Sequence, residues 1–315
     1  MKRLRVFHTV ETFLKRLRTI SPGLFTFLQR AKWEYFTWRR RRLKEEQYPQ
    51  ALKQWYFSEI GQTLDLENPK TFNEKIQWLK LYDSTPLKTE LADKYKVRKW
   101  VAEKIGEEYL IPLLGKWENA RDIDFDTLPD RFVLKPNHGA GWAIIVRDKR
   151  ELNIAKARKL MNSWLKRKMA YYAFELHYKD IPPLLIAEKY IENVDGDVYD
   201  YKFLCFDGEP RYLWVDTGRH TNHKRSVFDL NLELQPFTVG TFPGLDLPFA
   251  KPKNYDQMVA CARKLCEGFK HVRVDFYNID GQIYFGEMTF TSSGGKKDIY
   301  PLEYGRILGD MIPVP

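Results

Sequence analysis

The chain has 315 residues, 43% of them hydrophobic and 15% aromatic, enough apolar material for two or three packed subdomains. No apolar run is long enough to span a bilayer, no signal-peptide pattern opens the chain, and three cysteines without a CxxC pair argue against a disulfide framework or a zinc site, so a reducing cytosol is the expected setting. The net charge of +10 resides in residues 1–45, with 13 Lys and Arg against 3 acids, and the balanced remainder argues against a nucleic-acid enzyme, which carries its basic surface on the folded body.

Val6, Phe7, Val10, Phe13, Leu14 and Leu17 recur at helical spacing, with Lys15, Arg16 and Arg18 between them, and Ser21-Pro22-Gly23 ends that helix. The next stretch mixes Phe25, Phe27, Trp33, Tyr35, Phe36 and Trp38 with Arg39, Arg40, Arg41 and Arg42. Aromatics beside bases on an amphipathic helix suit an anionic membrane surface; they equally suit a helix packed on the body with a solvated basic face. Thr71 and Glu74 have the capping-box spacing that opens a helix through Ile76, Trp78, Leu79 and Leu81. Residues 90–105 read as one amphipathic helix ending near Gly106.

Phe132 to Leu134 and Ala143 to Val146 read as strands on either side of Lys135-Pro136-Asn137-His138-Gly139-Ala140-Gly141-Trp142. A helix is expected over about 151–169, and the apolar run Leu184 to Ala187 reads as a buried strand leading into Glu188-Lys189-Tyr190-Ile191. Two hairpins follow: Tyr201 to Phe206 turns at Asp207-Gly208 into Arg211 to Val215, and Val272 to Tyr277 turns at Asp280-Gly281 into Ile283 to Phe290.

Folding the second hairpin sets Asp275 across from Gly286 and Glu287, with Arg273 and Asp275 on one face and Glu287 and Thr289 sharing a face likewise. Neighbouring carboxylates repel, and a divalent cation, a proton or Arg273 relieves them. Oxygen ligands favour Mg²⁺, while an ordinary Arg273–Glu287 cross-strand salt bridge accounts for the same residues without a metal. A lysine ending an apolar strand before a loop with Gly139 and Gly141 suits phosphate, since glycines let backbone N–H groups turn onto an anion. A plain β-turn is the alternative, and His138 reads as a substrate contact or a solvated loop residue. Glu188 to Ile191 suits an adenine edge, with Glu192 or Asp195 placed for ribose hydroxyls.

The order of these elements resembles the ATP-grasp superfamily over roughly residues 85–300. Thr71-Phe72-Asn73-Glu74-Lys75, Asp93-Lys94-Tyr95, Lys135-Pro136-Asn137-His138-Gly139 and Val274-Asp275-Phe276-Tyr277 look like signatures of its TupA-like group, named for teichuronopeptide biosynthesis and found in bacterial surface-polysaccharide gene sets. The resemblance implies an α/β (α+β) fold of two subdomains clasping ATP, with ATP and Mg²⁺ as cofactors. With the basic arm, the expected divisions are a basic helical extension over 1–60, a helical region over 61–130, a lid with the glycine loop over 131–192 and a C-terminal subdomain with the Mg²⁺ hairpin over 193–315. Lys135 and Lys94 are then phosphate lysines, and Asn137, His138, Gly139, Ala140 and Gly141 the closing loop. Glu188, Lys189, Tyr190 and Ile191 form the adenine hinge, and Lys202 joins the nucleotide set. Asp275, Glu287 and Thr289 are the metal ligands, with Thr289 where many ATP-grasp ligases have Asn. Arg273 steadies the transferring phosphoryl group, and Ser292, Ser293, Gly294 and Gly295 stand where related ligases hold the acceptor.

The superfamily's chemistry implies attack of a carboxylate on the γ-phosphate, then displacement of phosphate by an amine. In this setting the product is an amide between an amino acid or other amine and a uronic acid of a surface glycan. Asp216, Arg219, His220 and Arg225 line an acidic-substrate pocket or are surface charges, with Arg219 the catalytic candidate. Three alternatives stand beside the ligase: an ATP-grasp kinase acting on a sugar or glycan, a glycosyltransferase using Asp195-Gly196-Asp197, and a non-catalytic scaffold tethered to an anionic membrane through residues 1–45.

Overall fold

The computed structural model describes residues 21–192, 198–218 and 221–314. The expected helix over residues 6–17, the Asp-x-Asp stretch, Arg219 and His220 lie outside these residues.

Helix α1 (Pro22–Arg40) rests on α7 (Ala170–Ala173) by its inner face, where the Trp33 and Tyr172 rings stack at 6.0 Å. Its outer face is a stripe at spacings of three and four: Leu24, Leu28, Ala31, Tyr35 and Trp38, all exposed. Helix α2 (Tyr48–Ile60) buries Leu52, Trp55 and Tyr56 against the Ala170–Phe174 segment.

Helix α3 (Phe72–Tyr82) starts at the capping box: the Thr71 hydroxyl accepts from the Glu74 N–H, and the Glu74 carboxylate accepts from the Thr71 N–H. The single helix expected over 90–105 is instead two, α4 (Pro86–Ala92) and α5 (Val97–Lys104). Asp93 breaks it. Its backbone is extended, and its Oδ1 accepts from the N–H groups of Tyr95 and Lys96, so a local side-chain acceptor outcompetes continuation of the helix.

The first sheet has the order β1 (Leu113–Trp117), β4 (Leu185–Lys189), β2 (Phe132–Pro136), β3 (Ile144–Val146), all antiparallel. One face buries Phe132, Leu134, Leu185 and Ala187 against Ala157, Met161 and Trp164 of α6 (Ile154–Leu165), a helix that starts later than the expected 151 because Asn153 caps it and ends before the expected 169. Alternation therefore puts Val133, Lys135, Ile186 and Glu188 on the opposite face. Residues 61–130 contribute to both halves of the molecule, since β1 joins this sheet while α3 packs on the second one.

The second sheet has the order β10 (Gln282–Thr289), β9 (His271–Ile279), β5 (Asp200–Phe206), β6 (Glu209–Thr217), β7 (Lys224–Asp229). Both hairpin turns have positive φ at the Asp and the Gly, as the mirror-image turn requires. One face buries Phe203, Val215, Val274 and Phe276 under α8 (Tyr255–Cys266). The other face is divided. Leu204, Phe206, Trp214 and Val227 pack beneath α3 and α9 (Glu303–Asp310), whereas Asp200, Lys202, Asp216, Arg225, Arg273, Asp275 and Glu287 occupy the rest of it. A short pair, β8 (Thr238–Val239) and β11 (Ile299–Tyr300), closes the α9 end.

Candidate active site

The β9–β10 register pairs Glu287 with Asp275 and Thr289 with Arg273, with Gly286 as the extra residue of a bulge. A Cβ on Gly286 would come within 3.1 Å of the Asp275 carbonyl oxygen, so glycine suits the bulge. Arg273 lies across both acids. Its Nε and one terminal nitrogen donate to Asp275 at 2.7 and 2.6 Å, and the same nitrogen reaches Glu287 at 3.1 Å and the Thr289 hydroxyl at 3.2 Å. Thr289 in turn donates to Glu287 at 3.0 Å. The cross-strand salt bridge is thus present, and it joins both acids rather than one.

Beside this hairpin, Lys202 is almost wholly buried with its ammonium 3.0 Å from Asp200, 3.6 Å from Asp216 and 3.8 Å from Asp275. Those distances make ion pairs, yet none has the alignment of a hydrogen bond. Asp216 is held by Arg225 through two contacts, by the Trp214 indole and by His223, and Arg225 lies between the Trp214 and Phe242 rings. Asp216 and Arg225 are therefore buried partners, not surface charges.

The electrostatics follow from these pairings. Burial works against ionisation of Glu287, but Lys94 and Arg273 outweigh it and hold its carboxyl below the ordinary range. Burial raises Asp275 more than Arg273 and Lys202 lower it. Burial opposes the charge on Arg273, and Asp275 and Glu287 reverse that and raise it.

Lys94 sits in the break between α4 and α5. Its N–H donates to the Asn137 carbonyl at 3.0 Å, its ammonium donates to the Gly139 carbonyl at 2.7 Å, and the same ammonium lies 3.3 Å from Glu287. One side chain thus spans from the glycine loop to the paired carboxylates. Lys135 lies 2.5 Å from Glu188, and Arg98 approaches the other Glu188 oxygen at 3.8 Å.

The remaining predicted residues fall as follows. Asn137 is fully buried, donating from its side chain to the Pro182 carbonyl and accepting from the Leu184 N–H, so it ties the loop to the start of β4. His138 is neither solvated nor open to a ligand in this structure: its ring contacts Asn137 Oδ1 and the Trp164 carbonyl. Gly139 lies under Trp142, whose ring a Cβ there would meet at 2.4 Å, while Ala140 and Gly141 are exposed. The Lys189 N–H bonds to the Pro112 carbonyl, Tyr190 lies beneath Arg131, and Ile191 is half-buried. Glu192 pairs with Arg131. Arg98, Asp200, Gln77 and Lys80 were not anticipated; the Asp200–Lys202 alternation opposite Asp275 was the available signal for the second of these.

Two carboxylates and a hydroxyl are hard oxygen donors suited to Mg²⁺, which takes one or two carboxylates and completes its shell with water and phosphate. Among the described residues no group of three or more His, Cys, Asp or Glu side chains could hold a metal ion.

A glycine loop on one antiparallel sheet and a carboxylate hairpin on another, bridged by a lysine, define a clasp of the ATP-grasp class. The chain belongs to the TupA-like ATP-grasp family, whose model matches residues 74–313, a longer stretch than the sequence motifs mark. Solved structures similar to it include D-alanine–D-alanine ligase from Bacillus anthracis complexed with ATP (TM-score 0.40, 19% identity, covering 71% of this chain and 63% of that one). D-cycloserine synthetase DcsG is another (TM-score 0.38, 16% identity, 72% of each chain). A third is N5-carboxyaminoimidazole synthase from Aspergillus clavatus in complex with ADP and 5-aminoimidazole ribonucleotide (TM-score 0.38, 14% identity, 72% of this chain and 52% of that one). The chain spans 63% of the length of the Bacillus anthracis ligase. No curated protein matches it.

Proposed function

We propose that this protein is an ATP- and Mg²⁺-dependent carboxylate–amine ligase that forms an amide between an amine, such as an amino acid, and a uronic acid of a bacterial surface glycan. The observation that carries the reading is the Lys94 bridge, 2.7 Å from the glycine loop and 3.3 Å from Glu287, because it brings loop and acids within one side chain's reach.

In this reading Asp275 and Glu287 hold Mg²⁺, with Thr289 beside them, and the ion supplies charge neutralisation at the phosphates. Lys94 and Lys135 exchange their carboxylate partners for phosphate oxygens, and Arg273 offsets charge on the transferring phosphoryl group. A carboxylate oxygen attacks the γ-phosphorus, the bond to the β-phosphate oxygen breaks, and ADP leaves. The amine nitrogen then attacks the acyl carbon, phosphate departs, and the nitrogen loses a proton. Residues 113–117 and 131–192 act as the lid that keeps water from the acyl-phosphate. Glu188 to Ile191 receive the adenine, and Asn137 and His138 shape the loop from beneath. Arg219 is assigned to the acidic substrate.

We further infer that α1 lies on an anionic membrane surface. Trp38 is 55% and Tyr35 54% exposed on its apolar stripe, with Lys32, Arg39, Arg41 and Arg42 flanking them. No helix among the described residues is long and apolar enough to cross a membrane. Vesicles of phosphatidylglycerol should bind the protein and those of phosphatidylcholine should not, and Tyr35→Ser with Trp38→Ser should abolish the difference.

The catalytic test is release of ADP and free phosphate from ATP, Mg²⁺, galacturonate or glucuronate and a panel of amines. A stable phosphoester in place of free phosphate would assign a kinase, and no stimulation by any pair would defeat the ligase.

A further inference from the structure

Beyond Thr289 the chain makes a turn whose shape is imposed from outside the two sheets. Ser293, Gly294 and Gly295 all lie in the left-handed region, with φ of 53°, 63° and 58°. Serine adopts such a backbone rarely, and a non-glycine residue held there calls for surroundings that over-determine it. Gly295 has no room for a side chain, since a Cβ would meet Gln77 Nε2 at 2.4 Å and Ile76 Cγ2 at 2.7 Å.

Those surroundings come from α3. The Gln77 amide donates to the Gly294 carbonyl at 3.2 Å and to the Gly295 carbonyl at 2.7 Å. The Lys80 amine donates to the Gly294 carbonyl at 2.7 Å and to Gln77 Oε1 at 2.8 Å. Both side chains have no exposed surface. Burying a lysine disfavours its charge, and burial lowers the Lys80 amine to about 7. From the other side, the Ser292 hydroxyl meets His271 at 2.9 Å and Thr291 donates to Glu175 at 2.5 Å. Ser292 and Ser293 line a narrow pocket with Asn73, Leu204, Trp214 and Lys297, and the Trp214 ring lies 5.5 Å from the Arg273 guanidinium.

We propose that Gln77 and Lys80 are positioning residues that preset the Thr291–Gly295 turn as the second-substrate wall of the cleft. The proposal rests on the ligase reading and on the resemblance that sets residues 292–295 where related ligases hold the acceptor. It assigns to α3, which lies outside both sheets, control over where the second substrate sits and none over nucleotide binding. Among the described residues no hydrogen bond or ion pair joins Arg273 or Glu287 to α3, so nucleotide affinity and second-substrate binding are expected to separate.

The test compares wild type with Gln77→Leu, Lys80→Met and the milder Gln77→Glu, which keeps the acceptor for Lys80 and removes the donor to the turn. Three quantities are read: calorimetric affinity for Mg·AMP-PNP, amide exchange of residues 291–297, and ADP-release kinetics with galacturonate and glutamate. The expected result is unchanged AMP-PNP affinity, exchange faster by about tenfold, and a KM for the second substrate raised about tenfold or more while the KM for ATP stays put. Unchanged exchange, or AMP-PNP affinity falling in step with the other two readouts, overturns the proposal. If wild type turns over neither probe, the ligase substrates are wrong but the first two readouts still decide: faster exchange with intact AMP-PNP affinity supports the brace, and unchanged exchange refutes it.

Discussion

Arg273 stands between two acids that, without it, would face each other across adjacent strands. Removing one member of a buried, hydrogen-bonded charge group leaves the others uncompensated, at a cost of about 3–5 kcal/mol. Arg273→Met is therefore expected to lower the urea midpoint as well as ADP formation, the latter by about 10²–10³-fold if the guanidinium stabilises the transferring phosphoryl group. Lys135→Ala should cut ADP formation to a similar degree while leaving Glu188 short of a partner. Lys80 gives a pH prediction. Its amine lies at about 7 in the folded protein against an ordinary 10.5, so the unfolded chain binds more protons between those values. Stability then rises with pH across that window. Lys80→Met should flatten the rise, which urea unfolding at pH 7 and pH 9.5 would detect; an unaltered slope would contradict the burial argument.

At the scale of elements, α3 and α9 illustrate how closely the helices meet the sheet and one another. A Cβ on Gly309 would come within 2.2 Å of the Lys70 carbonyl oxygen and 2.9 Å of the Phe72 nitrogen, and backbone atoms have little freedom to withdraw. Gly309→Ala should thus destabilise by about 1–3 kcal/mol. Gly305 on the same helix has open space around its Cβ position, so Gly305→Ala should stabilise by about 0.5–1 kcal/mol. Thermal unfolding of the pair separates close packing from helix propensity. Thr71→Ala, which removes the α3 cap, should cost about 1 kcal/mol. The hairpins were legible as elements because a two-residue hairpin turn requires positive φ at both positions, which Asp and Gly tolerate better than most residues. The α4–α5 break was not, because the helical spacing of residues 90–105 continues through Asp93 and only its side-chain acceptor and the Lys94 contact to Asn137 favour the extended backbone.

For the whole molecule, the Lys94 bridge couples the glycine loop to the carboxylate hairpin. Lys94→Ala should speed amide exchange of residues 139–142 in nucleotide-free protein, and Mg·AMP-PNP should slow exchange there in wild type; equal exchange in both proteins would remove the bridge from the account. The acid pair was legible from a period of two and one turn, since strand alternation and hairpin register are local consequences of chain geometry. The family was legible from its motifs, and the class of fold with it. Which charges meet outside that hairpin was not. Lys202 among three acids, Arg225 locked on Asp216, and the hold of Gln77 on a turn more than two hundred residues away depend on which strands and helices become neighbours. Periodicity, caps and turn residues act within a few residues and are written in the chain itself. Burial, and ion pairing between segments far apart in the chain, arise only when those segments exclude water together, and there the tertiary structure alone decided.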